Sequence, residues 1–453
     1  MADRLNEELR LADTFPPVPT SAWEARIRRD LKGADYDQRL VWNTDEGIAI
    51  RPYYRSEDIV ARPPLQNAVG SWEMAPPGHE PALSASAIEA HEQGATATQE
   101  VAYALAQGAD RLAAGQAVTT LGFAIGSNHF MEIAKLRSAR LLWPAVASAF
   151  GVAGEVRIHA RTAGENKTLY GSSVNMLRVT TEALSAVLGG CDSLTITPCG
   201  FDPHLADNVH HILREESHLD KVRDPGAGSY YIEALTGAVS AEAWALFQEI
   251  ERQGGWAACL ASGAIDAEVA AARAAKDKAV ARRRRVLVGT NKYPNAQERG
   301  PAGDWVSGPG WRLAEPFEAI RLRTERHQAA TGRTPRVLLL ERGNVKMRTA
   351  RAAFCFNLFG CAGFDIIQSD TLTDADLVVL CSADPEYLDF AREIVPQAKV
   401  PVVVAGYPKD QLDALKAAGV AGFVHAGSNA VETLIEWQDR IGISDGLTAD
   451  HGR

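Results

Sequence analysis

The sequence predicts an α/β protein with two parallel sheets: a truncated β/α barrel of the TIM type, then a flavodoxin-like doubly wound domain. Three observations carry this. Residues 83–290 alternate strand-like and helix-like patterns. Residues 336–443 alternate more regularly, with five short apolar strands and four helices. Pro- and Gly-rich chain precedes the first block and a long connector divides it from the second.

Residues 1–60 read as an arm. Trp23–Lys32 (WEARIRRDLK) is helical and ends at Gly33, and Leu40–Trp42 and Ile48–Tyr54 are short extended pieces. An aromatic-rich arm needs a surface to pack on. Residues 61–82 (RPPL, APPGHEP) read as a linker.

The barrel block, residues 61–290 with that linker, offers strands at Leu83–Ile88, Thr119–Ile125, Val156–Ala160, Ser193–Thr197 and Val286–Gly289. Helices include Ala95–Ala106, Phe130–Ala149, Ser172–Leu188 and Ala238–Gln253. A closed barrel needs eight strands and about 250 residues. Five strands leave edges of unpaired backbone. The arm, the last domain or another chain must cover them.

The segment Asn128–Trp143 (NHFMEIAKLRSARLLW) is central to this block. Gly126–Asn128 makes a turn with an N-cap residue. At about 100° per residue, Phe130, Ile133, Ala134 and Leu141 share a face, with Arg137 in its middle. A cation there requires a carboxylate or an anionic ligand, so Arg137 is either a structural ion pair or a contact lining a site or an interface. Asp224–Thr236 (DPGAGSYYIEALT) reads as a tight turn, an aromatic pair and a helix cap at Thr236. Arg282–Arg285 reads as a basic last helical turn, with a phosphate contact as the alternative.

Residues 291–335 are a connector ending in a helix over Ala314–Ala330. In residues 336–453 the strands are Arg336–Leu340, Phe364–Gln368, Leu377–Cys381, Val400–Ala405 and Gly422–His425. The helices are Thr349–Leu358, Pro385–Val395, Lys409–Ala418 and Asn429–Ile441, and Ser444–Arg453 is a loose tail.

Composition excludes several classes. A net charge of −10 argues against a nucleic-acid binder. No apolar run approaches the roughly 18 residues of a membrane span, and the charged first residues carry no secretory h-region. Cys191, Cys199, Cys259, Cys355, Cys361 and Cys381 form no CxxC pair and sit in apolar segments, as reduced cytosolic thiols do. No GxGxxG, P-loop, HExxH or GxSxG occurs in a sensible context.

Three blocks, His91–Ala95 (HEQGA), Gln99–Ala106 (QEVAYALA) and Phe130–Arg137 (FMEIAKLR), resemble in order and spacing the barrel domain of methylmalonyl-CoA mutases. Asp224–Thr236 is similar to the family's DPxxGSYYxExLT. Trp23, Asp30–Gly33 and Trp42–Gly47 resemble the family's N-terminal segment, which wraps a partner subunit, and RLAEPFEAIRLRTERH resembles its connector. The resemblance implies a radical rearrangement between (R)-methylmalonyl-CoA and succinyl-CoA, with adenosylcobalamin as the radical carrier.

The chain also departs from the family. The strand–helix units whose Tyr and Arg residues clasp the acyl-CoA are missing around residues 61–82. The family binds cobalt through the His of Asp-x-His-x-x-Gly, oriented by the Asp. Those positions are Lys346, Arg348 and Arg351 here, and a guanidinium has no lone pair to give. Ser382 and Gly406 match the looser pattern of the cofactor-tail pocket, although Ala405 replaces a glycine. The family's catalytic His falls on Glu89, with His91 two residues on as a substitute or a packing residue. His159, Arg161 and Glu165 align with a loop that faces the cofactor, where Arg161 replaces a Gln. His159, Glu165 and Lys167 are candidates for a polar site of their own.

The resulting expectation is a shortened small (β) subunit of a heteromeric mutase, an isomerase component without its own active site. It is expected in the cytoplasm, paired as a heterodimer with a homologous large subunit. That partner would bind adenosylcobalamin, with no cofactor or metal on this chain. The catalytic candidates are His91, His159 and Glu165; the cofactor candidates are Ser382 and Gly406. The alternatives are an active acyl-CoA mutase for another substrate, and a non-enzymatic regulator or chaperone that docks to a mutase.

Overall fold

The computed structural model describes residues 16–59, 65, 70–295, 297–300 and 311–443. The expected RPPL linker and the loose tail Ser444–Arg453 lie outside the described residues, apart from Leu65. The architecture is α/β, with two five-stranded parallel sheets and one small antiparallel ribbon.

The arm contains a helix, Thr20–Asp30, and the ribbon of β1 (Trp42–Asn43) and β2 (Ala49–Ile50). It packs on the long helix Tyr230–Arg252: Ile50 is buried beside Leu235 and Val239, and Tyr54 meets Tyr231 at 5.1 Å between ring centroids. Part of the arm thus has its surface within the same chain, while Trp23 and Trp42 stay exposed.

The first sheet comprises β3 (Glu73–Met74), β4 (Ala85–Ser86), β5 (Thr120–Ile125), β6 (Arg157–Thr162) and β7 (Ser193–Thr195). Their order is β3-β7-β6-β5-β4. Strands β4 to β7 are laid down side by side in chain order, as right-handed βαβ units would place them. β3, earlier in the chain, joins the far side of β7. Every residue of β5 is buried, because a parallel sheet is covered on both faces and polar alternation is lost.

Two expectations are corrected here. Val286–Gly289 is not a strand of this sheet. Its one pairing is a bridge between Val288 and Lys292, since Gly289 has φ +85° and the Asn291 side chain accepts from the Leu287 amide at 2.7 Å to make a tight turn. The fifth strand is β3, inside the stretch expected to be a linker. Its backbone bonds to Asp192 and Leu194 at 2.9 and 3.0 Å, and buried Trp72 donates to His210 Nδ1 at 3.1 Å. Side-chain anchoring by Trp72 offsets the weak strand propensity of the Pro-rich surroundings.

The helices Ala97–Ala113, His129–Ala149 and Tyr230–Arg252 pack on one another. The first opens with a capping box: Thr96 N donates to Gln99 Oε1 at 2.8 Å, and Gln99 N to Thr96 Oγ1 at 3.4 Å. Gly108 lies in its middle despite glycine's cost in a helix, because any Cβ there would collide with the Trp143 ring. The arginine run is a further correction. The helix Ala264–Ala281 ends before it, and Arg283 takes φ +56° so that the amides of Arg283 and Arg284 return to Val280 and Ala279.

The second sheet comprises β8 (Arg336–Glu341), β9 (Asp365–Ser369), β10 (Leu377–Cys381), β11 (Val402–Ala405) and β12 (Gly422–Val424), in the order β12-β11-β10-β8-β9. This is the flavodoxin-like order, with its switch between β8 and β10. One face buries Phe359, Leu434 and Trp437, the other Tyr387, Phe390 and Leu415. The first of these cores also takes in Val280, Leu287, Trp311 and Phe317, so the connector is packed. Among the described residues no helix is long and apolar enough to cross a membrane.

Candidate functional site

Ligands of parallel α/β sheets bind at the carboxyl ends of the strands. The first end is filled here by the protein's own side chains, and so is the part of the second around β10 and β11.

At the first sheet, the turn after β4 enters a short helix, Ile88–Glu92, which points His91 inward and leaves Glu89 exposed. His91 is 3% exposed. Its Nδ1 lies 2.7 Å from Glu100 Oε1, and its Nε2 lies 3.8 Å from Glu165 Oε1. Lys135, fully buried, donates to Glu100 at 2.8 Å and to the Ala124 carbonyl at the end of β5 at 2.6 Å, and pairs with Glu132 at 2.5 Å. Glu165 accepts from Lys276 at 3.1 Å and from Arg285 at 3.3 Å. Three buried carboxylates therefore face two lysines, one arginine and a histidine.

Burial pulls the His91 pKa down, but Glu100 and Glu165 outweigh it and hold the imidazole above its usual range. Burial likewise opposes the charge on Glu165, yet Lys276, His91 and Arg285 keep it well below the ordinary carboxylate range. Glu132 goes the other way, pushed up by burial. His91 thus lies between two carboxylates that favour its protonated form, with the geometry of a structural brace. Its Nε2 has no hydrogen-bond partner among the described residues.

The structure does not bring His159, Glu165 and Lys167 together as one site. His159, in mid-β6, pairs Nδ1 with Ser193 Oγ of β7 at 2.9 Å, and burial lowers its pKa to about 4. Lys167 turns to Glu182, at 2.7 and 2.8 Å, and to Asn166 at 2.5 Å. Arg161 lies 3.7 Å from Glu92, whose carboxylate accepts from the Gly164 amide at 2.9 Å. Lys135, Lys276 and Glu132 were not singled out from sequence. The spacing of Glu132 and Lys135 within the apolar pattern was the available signal.

Arg137 is a structural ion pair. It binds Asp224, Glu233 (2.8 Å) and Thr236 Oγ1 (3.3 Å), so the segment 128–143 is tied to the DPGAGSYYIEALT stretch. Thr236 is not a cap: the helix already begins at Tyr230, and its carbonyl accepts from Ser138 at 3.0 Å. Phe130 is 43% exposed rather than buried and lies edge-on to Tyr231 at 5.1 Å.

At the second sheet, only Arg342, Gly343 and Asn344 separate β8 from the helix Val345–Gly360, which Asn344 caps on the Met347 amide at 3.1 Å. Lys346 and Arg348 sit in its first turns, Lys346 exposed and Arg348 beside Glu341, Gln368 and Asp370 in a depression of about 220 Å³. Arg351 bonds Asp384 at 3.0 Å. Ser382 is buried; its hydroxyl donates to the Arg342 carbonyl at 2.8 Å and to Glu386. Glu386 fills the space a Cβ on Gly343 would need. Tyr387 donates to the Ala405 carbonyl at 2.5 Å, and its ring closes over Gly406 together with Asp384 and Arg351.

These residues do not fit a cobalamin. Its metal would meet Arg348, which cannot ligate, and its tail would meet the Tyr387 ring and the Arg351–Asp384 pair, not an open cleft. Among the described residues no His, Cys, Asp or Glu group could hold a metal ion.

The comparisons with known proteins follow the same lines. The family model described as methylmalonyl-CoA mutase matches residues 71–330. The chain is 38% identical to the methylmalonyl-CoA mutase small subunit of Porphyromonas gingivalis over 80% of its own length and 66% of that protein's. It is 35% identical to the small subunit of Streptomyces virginiae over 80% and 65%. It is 36% identical to the P. gingivalis large subunit over 47% and 33%. It thus spans slightly less than two thirds of the length of the small subunits it matches. The chain belongs to the methylmalonyl-CoA mutase family.

Proposed function

We propose that this chain is a shortened small subunit of a heteromeric, adenosylcobalamin-dependent methylmalonyl-CoA mutase, and that it supports a catalytic large subunit rather than turning over substrate. One observation carries the reading: Arg348 and Arg351 stand where a cobalt ligand and a loop glycine would be needed, and Arg351 is held by Asp384 at the rim of a cleft that Glu386 and Tyr387 already occupy. The filled carboxyl end of the first sheet supports it, since His91 and Glu165 are engaged with Glu100, Lys276 and Arg285.

In this reading the arm is residues 1–60, the shortened barrel 61–290, the connector 291–335 and the cobalamin-type domain 336–453. The edges of the first sheet at β3 and β4 are the surface a larger homologous chain would complete. The complex works in the cytoplasm, and the large subunit holds acyl-CoA and cofactor, supplying the radical chemistry. This chain's residues position that subunit and help exclude water.

Native mass measurement of the assembly isolated from its own cells tests the proposal. A stable one-to-one complex with a longer chain carrying Asp-x-His-x-x-Gly is expected. Isomerisation of methylmalonyl-CoA by this chain alone with adenosylcobalamin, or a homo-oligomer without such a partner, would overturn it.

A further inference from the structure

A second cavity, of about 190 Å³, lies at the β12 edge of the second sheet, between the arginine run after helix Ala264–Ala281 and the loop after β12. Arg282, Arg283 and Lys292 line it together with His425, Ser428, Phe354 and Leu358. No carboxylate lines it, in a chain of net charge −10.

Arg283 is the unusual member. Its Cα is held at φ +56°, a costly conformation for a branched-free but bulky side chain, and this aims it across the Phe354 ring at 5.4 Å. Its Nη1 is shut off from water and has no hydrogen-bond partner among the described residues. Burial pulls its pKa down, so the charge is held against a desolvation cost that no acidic side chain offsets. Lys292 stacks on Tyr293 at 5.0 Å and, like Arg282, has no ion-pair partner among the described residues. Among the described residues the fully buried lysines and arginines are paired, as Lys135, Arg137 and Lys167 are, and half-buried Arg178 instead bonds Thr168, Asn175 and the Val288 carbonyl.

We propose that this cavity binds a small organic phosphate, with the phosphate between Arg283 and Lys292 and its carbon portion against Phe354 and Leu358. A planar guanidinium beside a point-charge ammonium suits a phosphate's oxygens, and the volume admits a phosphate with a small apolar group. The site is independent of the subunit reading and stands or falls without it.

Titration calorimetry on the full chain, in the assembly in which it purifies, tests this with inorganic phosphate and phenyl phosphate at fixed ionic strength. Saturable binding is expected, tighter for phenyl phosphate. Arg283→Gln and Lys292→Met should each weaken it at least about fivefold. Arg284→Gln removes the same charge outside the cavity lining and should change it less than about twofold. Lys292→Met decides the matter if Arg283→Gln does not fold. Absence of saturation with both probes would overturn the proposal. So would an equal loss in Arg284→Gln, which means diffuse screening, or equal affinity for the two probes, which removes the apolar wall.

Discussion

The carboxyl ends of the two sheets are closed by different physics. At the first, Glu100, Glu132 and Glu165 meet Lys135, Lys276, Arg285 and His91, nearly all fully buried. At the second, Ser382, Glu386 and Tyr387 close the cleft with hydrogen bonds, and a half-buried pair, Arg351–Asp384, lies at its rim. A network of buried charges is all-or-none, because each ion removed leaves its partner uncompensated. Hydrogen bonds at a rim can be lost one at a time, with water as the substitute. The first end is therefore a core, and the second a filled cleft.

The largest expected effect breaks the first closure. Lys135→Met should destabilise the chain by about 3–5 kcal/mol in urea denaturation, because Glu100 and Glu132 lose their shared cation. A cost under about 1 kcal/mol would mean that water already reaches the cluster.

Acid is a milder probe of the first sheet's surroundings. His159 and His210 both have pKa values pulled by burial to about 4, from an ordinary 6.5. The unfolded chain takes up these protons first, so stability is complete above about pH 6.5 and is lost as pH falls towards 4, by roughly 1–3 kcal/mol per histidine. His91 has the opposite sign. Its raised pKa contributes stability at low pH that fades as pH rises through its folded value. Midpoints of urea denaturation from pH 4 to 8 should fall on the acid side, and His159→Gln should flatten that fall.

At the second end, Tyr387→Phe removes the bond to the Ala405 carbonyl and should cost about 1–2 kcal/mol. Arg351→Ala, at the rim, should cost under about 1 kcal/mol, measured in the same way. A large loss from Arg351→Ala would erase the distinction between core and cleft.

How far all this was legible depended on the range of the interactions. Residues 336–443 were readable because the strands carry their own apolar runs and two of the helices open on a capping asparagine, Asn344 and Asn429. β3 was not: it has two residues in Pro-rich chain, and its evidence is a hydrogen bond from Trp72 to His210, 138 positions away. Arg137 could be flagged from one helix face, but its partners Asp224 and Glu233 could not be assigned from that face alone. Lys276 sits in the Ala-rich helix Ala264–Ala281, where a lysine ordinarily reads as solvated; only the fold carries it to Glu165. The missing cobalt ligand was visible in Arg348 itself, whereas the closure of the cleft needed Glu386 and Tyr387 in place.

The position of β3 bears on how the chain is made. Glu73 pairs with Ser193, 120 residues later. During synthesis β3 leaves the ribosome before any other strand of its sheet and has nowhere to dock until β7 has followed. Contacts of such separation form late and slowly, since a long loop must close before they contribute. The Trp72 side chain waits longer still, since its partners His210 and Arg214 follow β7, and until then an apolar ring is open to wrong contacts.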